Sequence, residues 1–260
     1  MLVAVVQTNT IFGEVKKNIQ EALDLMGTVK ADLYVLPELF NTGYNFVKQK
    51  ELAALGERGD GATYEALLKF AEDQKCYIVY GFAEKADIMY NSSSLIGPEG
   101  FIGIYRKVHL FYRENIFFAP GNLGFPVFDL PFGKIGMMIC FDWAYPESAR
   151  TLALKGTQLI AHPSNLVLPY CPDGMITRAL ENKIFTATAD RVGEENRGGI
   201  ELKFIGTSEI VDPNGKILCR LGPSEPSIAV VDIDISLADK KQINEYNDIL
   251  KGRRQDQYKL

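Results

Sequence analysis

The chain has 260 residues, 47% of them hydrophobic and 23% charged, a balance that excludes a disordered or fibrous protein and permits a sizeable core. Its 28 basic and 33 acidic side chains leave a formal charge of -5, and the densest basic cluster is Lys251, Arg253 and Arg254 in a polar tail. Nucleic acid, normally met by a basic stripe, is therefore not expected as a partner. Only two histidines are present, so a catalytic centre is expected to work without imidazole.

Leu2 to Gln7 is a Val-rich run of the kind that forms a strand buried on both faces. Val15, Ile19, Ala22, Leu23, Met26 and Val29 then recur at three- and four-residue steps, which predicts an amphipathic helix. Leu33 to Leu36 reads as a second buried strand stopped by Pro37, Thr63 to Asp73 as a helix, and Cys76 to Phe82 as a third strand. From Tyr90 to Tyr105 two strands are joined at Gly97-Pro98-Glu99-Gly100, which has strong turn chemistry. Lys134 to Cys140 is a buried strand, Pro146 to Lys155 a helix with proline in its first turn and Gly156 as its stop, and Leu159 to Ala161 a strand. Asp173 is expected to N-cap a helix reaching about Phe185, followed by a strand from Thr186 to Arg191. Phe204 to Val211 should meet Lys216 to Cys219 across Asp212-Pro213-Asn214-Gly215, Ile228 to Ile235 closes the sheet region, and Ser236 caps a last helix. Alternating strand and helix patterns with inserted hairpins predict a layered α/β domain with mixed sheets, and no linker composition divides the chain.

Cys76, Cys140, Cys171 and Cys219 lie far apart, with no CxxC pair and no histidine at zinc-ligand spacing, so neither structural zinc nor a disulfide scaffold is expected. The start lacks the pattern of a signal peptide and no apolar run reaches about 18 residues, so a cytoplasmic protein with free thiols and no membrane span is expected.

Open α/β folds place reactive groups beyond the carboxyl ends of strands. Three residues stand there. Glu38 in LYVLPELFNTGY follows a buried strand and a proline. Taken alone it reads most simply as an exposed loop carboxylate; partly buried, it would be a carboxylate raised toward neutrality and suited to general acid/base work. Lys107 in YRKVHLFYREN reads alone as a solvated lysine, or else as a fixed ammonium that neutralises an oxyanion or thiolate. Glu114, seven residues on, is placed to pair with that lysine or to position a substrate amine, and His109 reads as a core or interface residue. Cys140 in MMICFDWAYPESAR stands at a strand-turn-helix elbow. A buried cysteine is usually inert, but an elbow exposes its apex side chain and aims backbone N-H groups at it, as in hydrolases with a serine nucleophile. Cys76, Cys171 and Cys219 read as structural. His162, wedged before Pro163 in a buried strand, is poorly placed to reach the thiol. GxSxG, HExxH, P-loop and dinucleotide-binding glycine motifs are absent.

LPELFNTGY, YRKVHLFYRE, FFAPG and MMICFDWAYPESAR, in that order, resemble the nitrilase superfamily of carbon-nitrogen hydrolases. The likeness continues through GTQLIAHPSN, RALEN and FIGTSEIVDPNG to Ile235, and is strongest to the branch that includes archaeal aliphatic nitrilases. It implies a four-layer αββα sandwich over 1-260, a homodimer or higher oligomer, and residues 236-260 as a C-terminal helix and tail on the partner. It further implies Glu38, Lys107 and Cys140 as a catalytic triad, with Glu114 and the Phe141 N-H in support and no metal or organic cofactor. Tyr44, Tyr112, Trp143, Asn165 and Tyr170 are the expected pocket walls. The substrate implied is a small aliphatic nitrile or amide, with N-carbamoyl amino acids or ω-amides as the alternative. A non-catalytic scaffold of this fold is the reading from another class; a glutaminase part and a lipoprotein acyltransferase lack the synthetase domain and membrane helices they would need.

Overall fold

The structure, a computed structural model, describes residues 1-258. The first part of the chain runs β1 (Leu2–Gln7), α1 (Val15–Met26), β2 (Leu33–Val35), α2 (Gln49–Leu55), α3 (Ala62–Gln74), β3 (Tyr77–Lys85), β4 (Met89–Gly97) and β5 (Gly100–Arg106). The next runs α4 (Glu114–Phe117), β6 (Val127–Leu130), β7 (Gly133–Met137), a 3-10 turn over Cys140–Ala144, α5 (Pro146–Leu154), β8 (Leu159–Pro163), α6 (Cys171–Asn182) and β9 (Phe185–Ala189). The last strands are β10 (Glu194–Arg197), β11 (Ile200–Lys203), β12 (Glu209–Val211), β13 (Ile217–Arg220) and β14 (Ser227–Asp232).

Two six-stranded sheets form, with orders β14-β1-β2-β3-β4-β5 and β13-β12-β9-β8-β7-β6. Each has a parallel centre, β1-β2-β3 and β7-β8-β9, with antiparallel strands outside it. Side-chain alternation in β1 builds the layers. Val3 and Val5 join Leu33, Val35, Ile135, Met137 and Leu159 between the sheets, whereas Ala4 and Val6 pack with Ile19, Ala22 and Met26 of α1 and Leu67 and Ala71 of α3. On the far side, Met138 and Ile160 meet Ala149, Leu152 and Ala153 of α5. The result is αββα. Each fully buried Val, Leu or Ile contributes roughly 1.5–3 kcal/mol to holding these layers.

Most predicted elements are present within a residue or two, and the differences have local causes. Asp173 does not cap α6; the helix begins earlier, at Cys171 after Tyr170, and Asp173 sits in its first turn, where its charge suits the helix dipole. Cys171, two residues before the expected cap, is thus helical and buried. The strand expected from Phe204 shrinks to β12, because Gly206 and Thr207 take positive φ of 59° and 58° and turn the chain. Helices α2 and α4, strand β6 and the hairpin β10-β11 are additions to the expected elements; the hairpin turns at Gly198 and Gly199, both at positive φ.

The expected C-terminal helix is not found among the described residues. Asp234, not Ser236, caps a five-residue 3-10 turn (Ile235–Asp239) by accepting from the Ser236 N-H at 3.1 Å. Beyond it the Asn244 side chain accepts from the Tyr246 and Asn247 N-H groups, and Asp248 from those of Leu250 and Lys251. These local bonds compete with helix formation. Residues 259-260 lie outside the described ones.

Candidate active site

Four strands of the two sheets deliver side chains to one end of the sandwich. Glu38 follows β2, Lys107 follows β5, Cys140 follows β7 and Asn165 follows β8, the carboxyl-end placement that parallel strands favour. All four are buried, Glu38 and Lys107 completely. The loop that carries Glu38 presses onto β3 at Gly81, where a Cβ would lie 2.5 Å from the Glu38 Cα. Only glycine permits that approach.

Lys107 Nζ donates to Glu38 Oε1 at 2.6 Å and to Glu114 Oε1 at 2.7 Å. Asn91 on β4 donates its side-chain amide to the same Glu38 oxygen at 2.6 Å, and its backbone carbonyl accepts from the Lys107 N-H at 2.8 Å, so one residue sets both groups. The Tyr44 hydroxyl donates to Glu114 Oε1 at 2.5 Å, and the Phe111 N-H donates to Glu114 Oε2 at 3.2 Å. Glu38 Oε2 has no partner among the described residues. The Asn165 amide donates to the Glu38 backbone carbonyl at 2.7 Å, so Asn165 steadies the carboxylate loop as well as lining the cavity.

Burial raises the Glu38 carboxyl to about 7; Lys107 opposes this, and the Glu114 charge adds to it. Burial acts to lower the Lys107 ammonium, but Glu114 and Glu38 outweigh it and hold the ammonium above its ordinary range. Burial is the main reason that Glu38 keeps a proton close to neutrality, and the second carboxylate that Lys107 must serve adds to it.

Cys140 has φ of +42°, left-handed backbone that costs a non-glycine residue about 1–3 kcal/mol. This is the expected elbow, although the segment that follows is a 3-10 turn before α5 begins. The thiol faces the Asn165 backbone carbonyl at 3.8 Å and is not hydrogen-bonded to Glu38. Burial, with the Glu38 charge behind it, pushes the thiol well above its ordinary value, and Lys107 pulls it back. At rest it is a thiol. The Phe141 N-H finds no acceptor among the described residues.

The expected pocket walls divide. Trp143 and Asn165 line a small cavity with Cys140, Phe111, Phe141 and Leu166, and Tyr44 and Tyr112 line a second with Arg113, Glu114, Ile200 and Leu202. Each has a volume of about 20 Å³, little more than the ~10–15 Å³ that one water needs. Tyr170, expected as a wall, is mostly exposed and lines neither. Cys76, Cys171 and Cys219 are free and belong to neither cavity. No group of three or more His, Cys, Asp or Glu side chains that could hold a metal is found among the described residues.

Sequence reasoning missed the supports. Asn91 belongs to a run of buried polar residues, Asn91 to Ser94, inside a strand, a break in apolar patterning that is itself a signal. Asp142 is fully buried and accepts from the Tyr105 hydroxyl, the Ile139 N-H, the His109 N-H and His109 Nδ1, tying the lysine segment to the cysteine turn. His109 stacks on Tyr145 at 3.7 Å, in keeping with a packing role. Glu195 on β10, paired with the buried Arg191, accepts from the Tyr44 and Asn45 N-H groups at 3.1 and 2.7 Å and fixes the Tyr44 loop.

The sequence profile of carbon-nitrogen hydrolases matches residues 2–241. The chain belongs to the carbon-nitrogen hydrolase family. It is 53% identical to a nitrilase of Pyrococcus abyssi over 261 residues, 98% of either chain. It is 34% identical to an (R)-stereoselective amidase of a Pseudomonas species over 260 residues, covering 98% of this chain and 92% of that one. Among solved structures it is similar to an amidase from Nesterenkonia sp. AN1, with a TM-score of 0.84, 27% identity and coverage of 98% and 95% of the two chains. A structure of a mutant of that amidase shows the acetamide moiety of fluoroacetamide added covalently at its active site cysteine. The family confirms the expected hydrolase and the expected sandwich. This carbon-nitrogen hydrolase is an enzyme, and no helix among its described residues is long and apolar enough to cross a membrane.

Proposed function

We propose that this carbon-nitrogen hydrolase converts a small aliphatic amide or nitrile to a carboxylic acid and ammonia, with Cys140 as nucleophile. The observation that carries the reading is the buried Lys107 bridging Glu38 and Glu114 beside a cavity that Cys140 lines. Glu38, with one oxygen free, takes the thiol proton. The thiolate attacks the carbonyl or nitrile carbon, and Lys107 Nζ and the Phe141 N-H receive the charge that develops on oxygen or nitrogen. With an amide, Glu38 returns the proton to the departing ammonia and leaves a thioester. A water molecule, deprotonated by Glu38, attacks that thioester; the acid departs and the thiolate regains its proton. A nitrile takes one additional water, which converts the thioimidate to the same tetrahedral intermediate. Glu114, held by Tyr44, keeps Lys107 in place. No step uses a metal or an organic cofactor.

The tightness of the two cavities favours short substrates. Arg113 favours the second reading, an ω-amide or N-carbamoyl amino acid. It lines the cavity beside Glu114, its guanidinium lies 5.7 Å from the centre of the Phe117 ring, and no ion pair to a carboxylate is found for it among the described residues, so it is available to a substrate carboxylate. Ammonia release from matched short aliphatic amides, nitriles, ω-amides and N-carbamoyl amino acids separates the two. Turnover confined to uncharged substrates supports the first reading, and turnover confined to those bearing a carboxylate overturns it.

We read residues 1-260 as one catalytic domain that works as a homodimer or higher oligomer, without nucleic acid or membrane. The exposed Tyr145 and Leu154 at the two ends of α5 and Leu180 on α6, with Ile243 and Tyr246 of the tail, support a second copy as the partner. Four free cysteines suit a reducing cytoplasm.

A further inference from the structure

His162 is one of two histidines in the chain, is fully buried, and takes no part in the proton transfers described above. Its place is specific. On β8, directly behind the cysteine turn, its Nε2 lies 2.9 Å from the Cys140 carbonyl oxygen, and its Nδ1 lies 3.1 Å from Thr188 Oγ1 on β9. A carbonyl oxygen can only accept, so Nε2 carries the proton and Nδ1 accepts from the Thr188 hydroxyl. Burial lowers the imidazole to about 4, so it is neutral at working pH.

The Cys140-Phe141 peptide is planar and trans, so its C=O and N-H point in opposite directions. Fixing the carbonyl on His162 therefore fixes the direction of the N-H of Phe141, a residue that lines the cysteine cavity and whose N-H has no acceptor among the described residues. The carbonyl belongs to the residue held at left-handed φ, whose peptide would otherwise relax toward ordinary geometry.

We propose that His162 is a positioning residue that acts through the Cys140 carbonyl to aim the Phe141 N-H at the oxyanion. This rests on Cys140 being the nucleophile. His162 neither takes the thiol proton nor touches substrate, so it accelerates steps that pass through an oxyanion and leaves others alone.

Two reactions of the full-length enzyme divide on that point. S-ethyl thioacetate acylates the cysteine through a tetrahedral oxyanion: the new C-S bond forms, the bond to ethanethiolate breaks, and ethanethiolate takes up a proton. Iodoacetamide alkylates the same thiol by displacing iodide, with no oxyanion. In His162→Phe, ethanethiol release is expected to slow about 10²–10³-fold, the range for losing one oxyanion donor, while Cys140 alkylation, followed by peptide mass, stays within about threefold. His162→Gln, whose amide nitrogen can replace Nε2, should recover acylation to within about tenfold. His162→Asn, whose amide is one bond too short, should behave as the Phe variant, and the Gln-Asn contrast decides if the Phe variant does not fold. A packing role predicts that acylation and alkylation fall together; that result, or acylation within threefold in His162→Asn, overturns the proposal. Acylation that persists in Cys140→Ala overturns the nucleophile assignment itself, and with it the premise.

Discussion

At the scale of single residues, the site is an arrangement of unequal charges. Lys107 is one cation between two carboxylates, and Glu38, the more deeply enclosed of them, holds its proton to about 7. As a general base Glu38 must be ionised, so kcat/KM should fall as pH drops through that value. Glu114 raises Glu38 by its negative charge; removing that charge in Glu114→Gln lowers the Glu38 pKa and frees Lys107 to favour the Glu38 anion, both in the same direction. The acid limb of the kcat/KM profile should therefore move down by about one pH unit in that variant. A limb that stays in place or moves up contradicts the charge arrangement described here.

At the scale of elements, function depends on how closely loops lie against strands. Adding one carbon in Gly81→Ala puts a Cβ 2.5 Å from the Glu38 Cα and 2.9 Å from the Leu39 N, both backbone atoms that cannot swing aside. The Glu38 loop must lift, and a displacement near 1 Å is expected to cost about 10²-fold in kcat; a Gly81→Ala enzyme with kcat within threefold of the parent would show that this approach is dispensable. Much of this geometry is legible in the sequence. Glu38 and Cys140 follow buried strands and Lys107 follows the half-exposed β5, and local patterning finds all three strands. What is not legible is what joins them. Asn91 sits 53 residues from Glu38, Tyr44 70 from Glu114, and Asp142 33 from His109, and no periodicity links such distant positions. The hairpin β10-β11 is marked by its Gly198-Gly199 pair, but its strands alternate too little apolar surface to be read as strands. The C-terminal helix fails for the opposite reason: a plausible start at Ser236 is followed by Asn244 and Asp248, which bind nearby backbone N-H groups instead.

At the scale of the whole molecule, both sheets place the parallel strands at their centre and open the same end toward the site, so one scaffold aligns groups from both halves of the sequence. The outer faces are less complete. Tyr246 and Ile243 of the tail stand exposed, as do Leu154 and Leu180, which the oligomer would cover. In solution the native mass should be twice that of one chain or a multiple of it, and deletion of residues 241-260 should shift it toward a single chain. A monomer at micromolar concentration with full activity would contradict the assembly. Hydrolysis through Cys140 is tested by ammonia release from the best amide or nitrile substrate in the parent enzyme and in Cys140→Ala, with circular dichroism confirming that both are folded. Loss of at least about 10⁴-fold in the variant is the predicted result, and a folded Cys140→Ala enzyme that retains a tenth of the parent rate would contradict it.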